Sequence, residues 1–411
     1  METALKTLLC IYLLLLLCLA DADSSEKSFS IKDISTHEGN DMSPAFSPDG
    51  RKLAYVRSSA GRTELWILDL ENQRERLVKS FSIRQSKFGF GLSWAPDSRF
   101  FVFVGQGMKL YLGCADMERT FLLTDSSEAD GEPKWSPDGK YIVFVSGRTG
   151  NGDIYLIRIE ELLEELSNDL NLNLAARARK HLFHLTPGSE GLDYGPNWSP
   201  DSKAIVYHSY SRNPRHPRGS ETFNIKIITE LDRIVEGSRR AEPKLLTDWA
   251  DFNEMHPSWS PDGRWIAFYS DLIYPDDMGR SRALQDKQFR LYAIGIDPGK
   301  GLFISVEPFL EVSDADGAIL TGDVNVNVNV ESGPSWLPGS RGVAYTRRDS
   351  MERDQIHWVP VSDKVPRHLD FSTWMNSDVT VCKDGTKIAF TAQEGARDCL
   401  HIAVINMDEL R

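Results

Sequence analysis

The chain has little that could tie it together covalently. It holds five cysteines among 411 residues. Cys10 and Cys18 fall in an apolar leader, which leaves Cys114, Cys382 and Cys399. Three is an odd number, and no Cys-x-x-Cys pair occurs, so a disulfide scaffold and a cysteine zinc site are both excluded. No Gly-x-Ser-x-Gly elbow is present to carry a nucleophilic serine. No His-x-His pair occurs either. Positive charge is in deficit, with 47 Lys and Arg against 60 Asp and Glu and a net charge of -13. Such a surface repels phosphate backbones and argues against a nucleic-acid partner. Disorder is excluded too, because 41% of the residues are hydrophobic and only 26% charged.

One long apolar run exists, and it is N-terminal. Lys6 precedes it, residues 8–19 are almost wholly apolar, and Ala20-Asp21-Ala22 offers a small-x-small site. This pattern predicts a signal peptide over residues 1–22, with export to the periplasm or the exterior. An uncleaved anchor is the alternative, but a span needs about 20 apolar residues. Cys18 does not make a lipoprotein signal, since Leu17 stands where a small residue is wanted. The mature chain, 23–411, is expected to be one domain, monomeric and without a transmembrane segment.

A short phrase then recurs. It reads Phe46-Ser47-Pro48-Asp49-Gly50, Trp94-Ala95-Pro96-Asp97-Ser98, Trp135-Ser136-Pro137-Asp138-Gly139, Trp198-Ser199-Pro200-Asp201-Ser202 and Trp259-Ser260-Pro261-Asp262-Gly263. Two eroded copies follow, at Trp336-Leu337-Pro338-Gly339-Ser340 and Val381-Cys382-Lys383-Asp384-Gly385. Proline presets the first turn position, aspartate takes the second, and glycine or a tolerated serine takes a left-handed third. Each phrase is therefore a hairpin turn. The strand after it is continuously apolar, as in Phe101-Val102-Phe103-Val104 and Ile142-Val143-Phe144-Val145, which implies burial on both faces. A third strand follows, and a weaker fourth often ends in Leu-Thr, as at Leu123-Thr124, Leu185-Thr186 and Leu246-Thr247. Four strands per unit in seven copies predict an all-β fold, a seven-bladed β-propeller. The seventh unit lacks a fourth strand, and a spare strand at residues 29–35 is expected to complete it and close the ring.

The unit Pro-x-Trp-Ser-Pro-Asp-Gly-x-x-Ile-Ala-Phe, followed by Asp-Ile-Tyr and Leu-Thr, resembles the WD40-like propeller repeat of TolB. It is also similar to the propellers of the prolyl oligopeptidase and dipeptidyl peptidase IV group. The resemblance implies the propeller fold. It implies no peptidase activity, because those enzymes use a hydrolase domain with the missing nucleophile elbow.

The most regular polar position lies three residues before the repeat proline. It holds Asp41, Asp130, Asp193, Glu254 and Glu331, with Gly89 and Asn376 in the remaining copies. Two readings are open: an acidic channel rim that attracts a cation or a basic segment, or carboxylates that serve their own turns. His256 directly precedes Pro257 and is expected at the channel mouth, with His208 on the same face. With Glu254 they form a candidate metal site. The oligogalacturonate lyases, a related propeller group, bind a metal through a channel histidine cluster. No cofactor is otherwise expected. Asp314-Ala315-Asp316-Gly317 misses the spacing of a calcium loop, and the Val-Asn alternation of 324–330 predicts a strand.

Insertions complete the picture. Loops at 211–222, 271–288 and 313–331 are long and are expected on the face where the first strands enter. They and their flanks offer Tyr210, Arg212, Arg215, His216, Arg218, Tyr274, Arg280 and Arg282 to a partner. Residues 160–166 predict a short amphipathic helix on the opposite side. The function expected from these features is a non-catalytic, exported scaffold that binds a protein, peptide or other ligand in the cell envelope. The alternative is a channel-sited, metal-dependent lyase or hydrolase of carbohydrates. A purely structural role is the third reading. Blade-seven geometry separates Cys382 from Cys399, so three free thiols are expected.

Overall fold

The turn phrase builds the same hairpin each time. In the first copy the Ser47 hydroxyl donates to Asp49 Oδ1 at 2.6 Å and accepts from the Lys52 amide at 2.9 Å. The Gly50 amide closes the turn on the Ser47 carbonyl at 2.8 Å. Ser136, Ser199 and Ser260 repeat the hydroxyl-to-aspartate bond at 2.6 Å. In the last copy the Cys382 thiol replaces the hydroxyl, donating to Asp384 Oδ1 at 2.6 Å and accepting from the Lys387 amide at 3.0 Å. Cys114, Cys382 and Cys399 are all buried, and none is in a disulfide.

The computed structural model describes residues 30–34, 40–59, 61–81, 91–212, 221–247, 253–270, 290–296, 333–348, 354–362, 367–369, 374–394 and 397–404. The signal-peptide region, the 271–288 and 313–331 loops and the Val-Asn alternation lie outside these residues.

Strand β1 is Ser30–Asp33. The first sheet is β2 (Asn40–Phe46), β3 (Lys52–Ser59), β4 (Arg62–Asp69) and β5 (Glu75–Phe81). The second is β6 (Leu92–Trp94), β7 (Phe100–Gly105), β8 (Lys109–Cys114) and β9 (Thr120–Leu122). The third is β10 (Asp130–Trp135), β11 (Tyr141–Ser146), β12 (Asp153–Arg158) and β13 (Leu182–His184). The fourth is β14 (Leu192–Trp198), β15 (Ile205–Arg212), β16 (Glu221–Ile228) and β17 (Lys244–Leu245). Three strands follow in the next sheet, β18 (Glu254–Trp259), β19 (Trp265–Ser270) and β20 (Arg290–Gly295). Then come β21 (Ser335–Trp336), β22 (Gly342–Arg348), β23 (Asp354–Pro360) and β24 (Arg367–His368). The last sheet holds β25 (Trp374–Val381), β26 (Lys387–Glu394) and β27 (Arg397–Val404), with β1 added beside β27.

This is an all-β propeller architecture. Seven equal four-stranded blades were expected. Among the described residues six sheets have four strands and the sheet β18–β20 has three. The helix expected at 160–166 runs over Glu160–Asn168 and buries Leu162 and Leu166.

The continuous apolar second strands have the predicted cause. Ile142 and Phe144 of β11 pack toward the second sheet, with Val102, Leu110 and Leu112. Val143 and Val145 of the same strand pack toward the fourth, with Ile205 and Tyr207. Successive side chains point to opposite faces, so a strand sandwiched between two sheets has no polar face. The Leu-Thr ending also has a physical reason. Thr124, Thr186 and Thr247 each accept the amide of a third-strand residue, Leu110, Ile154 and Ile225, at 3.0 Å.

The serine in the turn phrase is more than a tolerated glycine substitute. Ser98, Ser202 and Ser340 sit at φ of 59°, 60° and 57°. Their hydroxyls accept the amides of Asp49, Asp138 and Asp262, each in the preceding sheet, at 3.0 Å. The strained backbone position thus supports a bond across the seam. Replacing Ser98 with Ala is expected to cost about 1–2 kcal/mol, because the bond is lost while the left-handed strain stays. Replacing it with Gly relieves the strain and should be close to neutral. Gly139→Val should cost more than either, since Gly139 has φ of 81° and a Cβ there meets Pro96 Cγ at 3.3 Å. Urea unfolding midpoints check the order, and equal small effects for all three would overturn it.

Candidate functional site

The innermost strands share a defect that shapes the channel. In β2, β10, β14 and β18 the ladder to the next strand slips, at Met42/Ala45, Gly131/Lys134, Tyr194/Asn197 and Met255/Ser258. Each slip contains the repeat proline, which has no N–H to give to the ladder. The residue before it takes a left-handed backbone: Ser43 at φ 53°, Glu132 at 51°, Gly195 at 62° and His256 at 54°. A side chain at such a position is strained and persists only where its surroundings fix it.

These bulged positions line a central cavity of about 390 Å³. Its wall draws residues from the first strand of every sheet, among them Ser43, Glu132, Lys134, Asn197, His256 and Thr380. Glu132 Oε2 accepts the Gly195 amide at 2.5 Å, which ties the third sheet to the fourth. Asn197 Oδ1 accepts the Trp259 amide at 2.9 Å across the next seam. Gly195 cannot carry a side chain, because a Cβ would lie 2.6 Å from His208 Cε1. The wall mixes polar and apolar groups: a carboxylate, an ammonium, an imidazole and several hydroxyls lie among the repeat prolines, Trp259, Trp336 and Val379.

His256 directly precedes Pro257 and is among the residues lining the cavity. Its backbone amide donates to His208 Nδ1 at 3.4 Å, and the two rings sit 5.2 Å apart. Tyr194, Phe223 and Tyr269 enclose the pair. Burial, and after it the Lys134 ammonium, push the His256 imidazole down to about 4. Burial and then His256 hold His208 well below the usual histidine range. Glu254 does not join them to make a metal-ligand triad. Its Oε2 accepts the Thr247 hydroxyl at 3.0 Å, a bond to the end of the preceding sheet. Among the described residues no group of three or more His, Cys, Asp and Glu is disposed to hold a metal ion.

The acidic rim requires correction. Asp41 is 1% exposed, and Asp130, Asp193 and Glu254 are 0% exposed. They face into the sheets instead of the channel mouth, because they pair across to the second strand. Asp41 takes a bidentate Arg57 guanidinium at 2.8 and 3.0 Å. Asp130 accepts from Ser146, Ser126 and Arg148 at 2.5, 2.9 and 3.0 Å. Asp193 lies opposite Ser209, and burial raises its carboxyl while Lys226 offsets part of the rise. The regular acid is therefore buried between its own second strand and the chain arriving from the preceding sheet, away from the cavity. Of the loop residues, Arg212 is exposed at the end of β15 opposite Glu221. Glu331, Arg215, Arg218, Tyr274 and Arg280 lie outside the described residues.

Sequence reasoning missed Glu132, Lys134 and Asn197. The signal for Glu132 was present two positions further along the same alignment, in the residue before the proline, whereas Lys134 and Asn197 directly follow their prolines and line the same cavity.

The native state takes up a proton on His256 only near pH 4, whereas an unfolded chain does so near ~6.5. The unfolded state therefore binds more protons between those values, and stability falls as pH drops through that window. At pH 5 the loss from His256 should be about 2 kcal/mol relative to pH 7. In His256→Asn, whose side chain tolerates a left-handed backbone, that part of the slope should vanish. An unchanged pH slope of the unfolding free energy would refute the assignment.

Comparison with known proteins agrees with this architecture. Residues 15–165 match the family described as the TolB beta propeller domain. A TolB homologue of Chlorobium luteolum is 30% identical over 131 residues, covering 31% of this chain and 29% of the homologue. An uncharacterized peptidase of Bacillus subtilis is 22% identical over 257 residues, 58% of this chain and 30% of the peptidase. The chain thus spans less than a third of the length of either. An uncharacterized protein of Agrobacterium fabrum is 26% identical over 227 residues, 54% of this chain and 67% of that protein. Among solved structures, an oligogalacturonate lyase in complex with manganese aligns over 93% of this chain and 98% of its own, with TM-score 0.61 and 11% identity. A puromycin hydrolase aligns over 87% of this chain and 51% of its own, with TM-score 0.57 and 15% identity. At these identities the structural likeness establishes fold alone, and it is the repeat phrase, matched over residues 15–165, that makes the chain similar to TolB-type propellers.

Proposed function

We propose that the protein is an exported, seven-bladed propeller, one domain over residues 23–411, that binds a protein or peptide partner in the cell envelope without catalysis of its own. The ring reading is supported by the seams. The first strands contact one another in succession, and β25 contacts β2. Leu53 and Tyr55 of the first sheet share a cluster with Cys382 and Ala389 of the last, and Ile34 joins them. β1 pairs with β27 in register from Ser30–Val404 to Asp33–His401. In this reading β1 supplies the missing fourth strand and removes an open edge. Deleting residues 29–36 should cost about 3 kcal/mol from lost ladder bonds and packing. A melting temperature equal to that of the full chain would sink the closure.

The binding reading rests on one observation, the open cavity of mixed polar and apolar lining whose wall includes strained positions of successive sheets. Backbone strain repeated around one cavity is better explained by a surface kept in shape for a ligand than by stability. Export is supported by the N-terminal leader pattern and by the TolB resemblance. Among the described residues no helix is long and apolar enough to cross a membrane.

The test uses immobilised protein and a native envelope extract. Lys134→Glu in the cavity wall should weaken capture of the partner at least about tenfold, as should charge reversal at Arg212, Arg215 and Arg218 together, with an unchanged circular dichroism spectrum in both. Normal capture by the Lys134 variant would overturn the cavity as the binding surface. The carbohydrate-lyase alternative draws on the His208–His256 pair at the channel. It would be favoured by oligosaccharide cleavage that requires a divalent metal and is lost in His256→Asn.

A further inference from the structure

A second histidine pair lies away from the channel. His357 of β23 and His368 of β24 are direct cross-strand partners in the sixth sheet. His368 is exposed and His357 half-buried. Their ring centroids are 4.9 Å apart, with the planes 35° from parallel. Zn–N bonds of about 2.0–2.1 Å and ligand angles between square and tetrahedral put two imidazole centroids on one ion roughly 4.5–5.2 Å apart. The observed separation falls inside that range.

The second argument comes from Gln355, which holds both rings. His357 Nδ1 lies 3.3 Å from the Gln355 main-chain oxygen. A carbonyl oxygen only accepts, so Nδ1 carries the proton and the lone pair of His357 is at Nε2. His368 Nε2 lies 3.3 Å from Gln355 Oε1; with the amide oxygen turned to the ring, Nε2 donates and the His368 lone pair is at Nδ1. Fixing one ring nitrogen as a donor to a carbonyl, so that the other is basic, is the outer support that metal-ligating histidines carry. Gln355 is 7% exposed, so the support is itself held in the packed sheet. The neighbouring cation does not oppose an ion here. Arg367 precedes His368 and faces the other side of the strand, with its guanidinium 4.9 Å from the Trp358 ring centroid.

The geometry points to a surface site for a first-row divalent cation on the sixth sheet, with His357 Nε2 and His368 Nδ1 as ligands and Gln355 as the positioning residue. Two neutral imidazoles select Cu²⁺ and Zn²⁺ over the hard cations Mg²⁺ and Ca²⁺. Water or an anion completes the coordination. Because β24 is only two residues long, a bound ion would clamp the outermost strand to its neighbour. The site is separate from the channel pair His208 and His256.

Calorimetric titration of the chelator-stripped full chain with ZnCl₂ and CuCl₂ tests the proposal. The full chain should bind one metal equivalent that His368→Ala and His357→Ala lose or bind at least about tenfold more weakly. His368 is exposed, so its variant should fold normally. Excess MgCl₂ should not displace the ion, and His256→Asn should retain this equivalent. The proposal is overturned if the unmodified chain takes up neither metal. It is equally overturned if His368→Ala keeps the full stoichiometry and affinity, or if the equivalent disappears with His256→Asn instead.

Discussion

Each second strand packs against two neighbouring sheets at once. β11 shows the constraint most plainly, with Ile142 and Phe144 buried toward one sheet and Val143 and Val145 toward the other. A sheet of three or four strands cannot cover both of its own faces. Stability therefore resides in the seams, and each sheet depends on the two beside it. Polar bonds then fix how far each sheet rotates against the next. Trp94, Trp198 and Trp336 donate their indole N–H to the carbonyls of Ala45, Lys134 and Ser258 in the preceding first strands, at 3.1, 3.0 and 2.9 Å. The turn serines make a matching contact in the turn that directly follows each tryptophan.

That division of labour explains why the same phrase serves structure at one end and leaves function to the other. Trp, Ser, Pro, Asp and Gly are occupied in the turn and the seam. The proline at the top of the first strand breaks the ladder and turns the preceding residue toward the axis. Here the repeat stops being uniform: Ser43, Glu132, Gly195 and His256 differ in charge and size while sharing one backbone conformation. A repeated backbone with varied side chains is how a symmetric fold presents an asymmetric cavity.

Burial sets the electrostatics of both the sheets and the channel. Asp41 and Arg57 form a bidentate pair inside the first sheet, backed by the Tyr55 hydroxyl, which accepts from Arg57 at 3.0 Å and donates to Glu75 at 2.7 Å. Asp193 and Lys226 are forced by burial toward their neutral forms, the carboxyl up and the ammonium down. His208 and His256 are held neutral by the same desolvation. Removing one member of such a group leaves the other buried and uncompensated, which costs more than the pair contributes.

The repeat phrase alone determined the hairpins, the buried second strands and the propeller class, because turn chemistry and strand period are local properties of the chain. The Leu-Thr ending and the Cys382 substitution were visible in the sequence for the same reason, though their hydrogen bonds were not. Tertiary structure decided which regular position faces the axis. The carboxylates of Asp41, Asp130, Asp193 and Glu254 and the residues before proline lie two positions apart, and alternation predicts one common face for both. The proline bulge adds one residue to the strand and a left-handed turn of the backbone, and so sends the acids into the sheet and Glu132 and His256 to the cavity. The pairing of His357 with His368 across separate strands also depends on register, which no local pattern encodes.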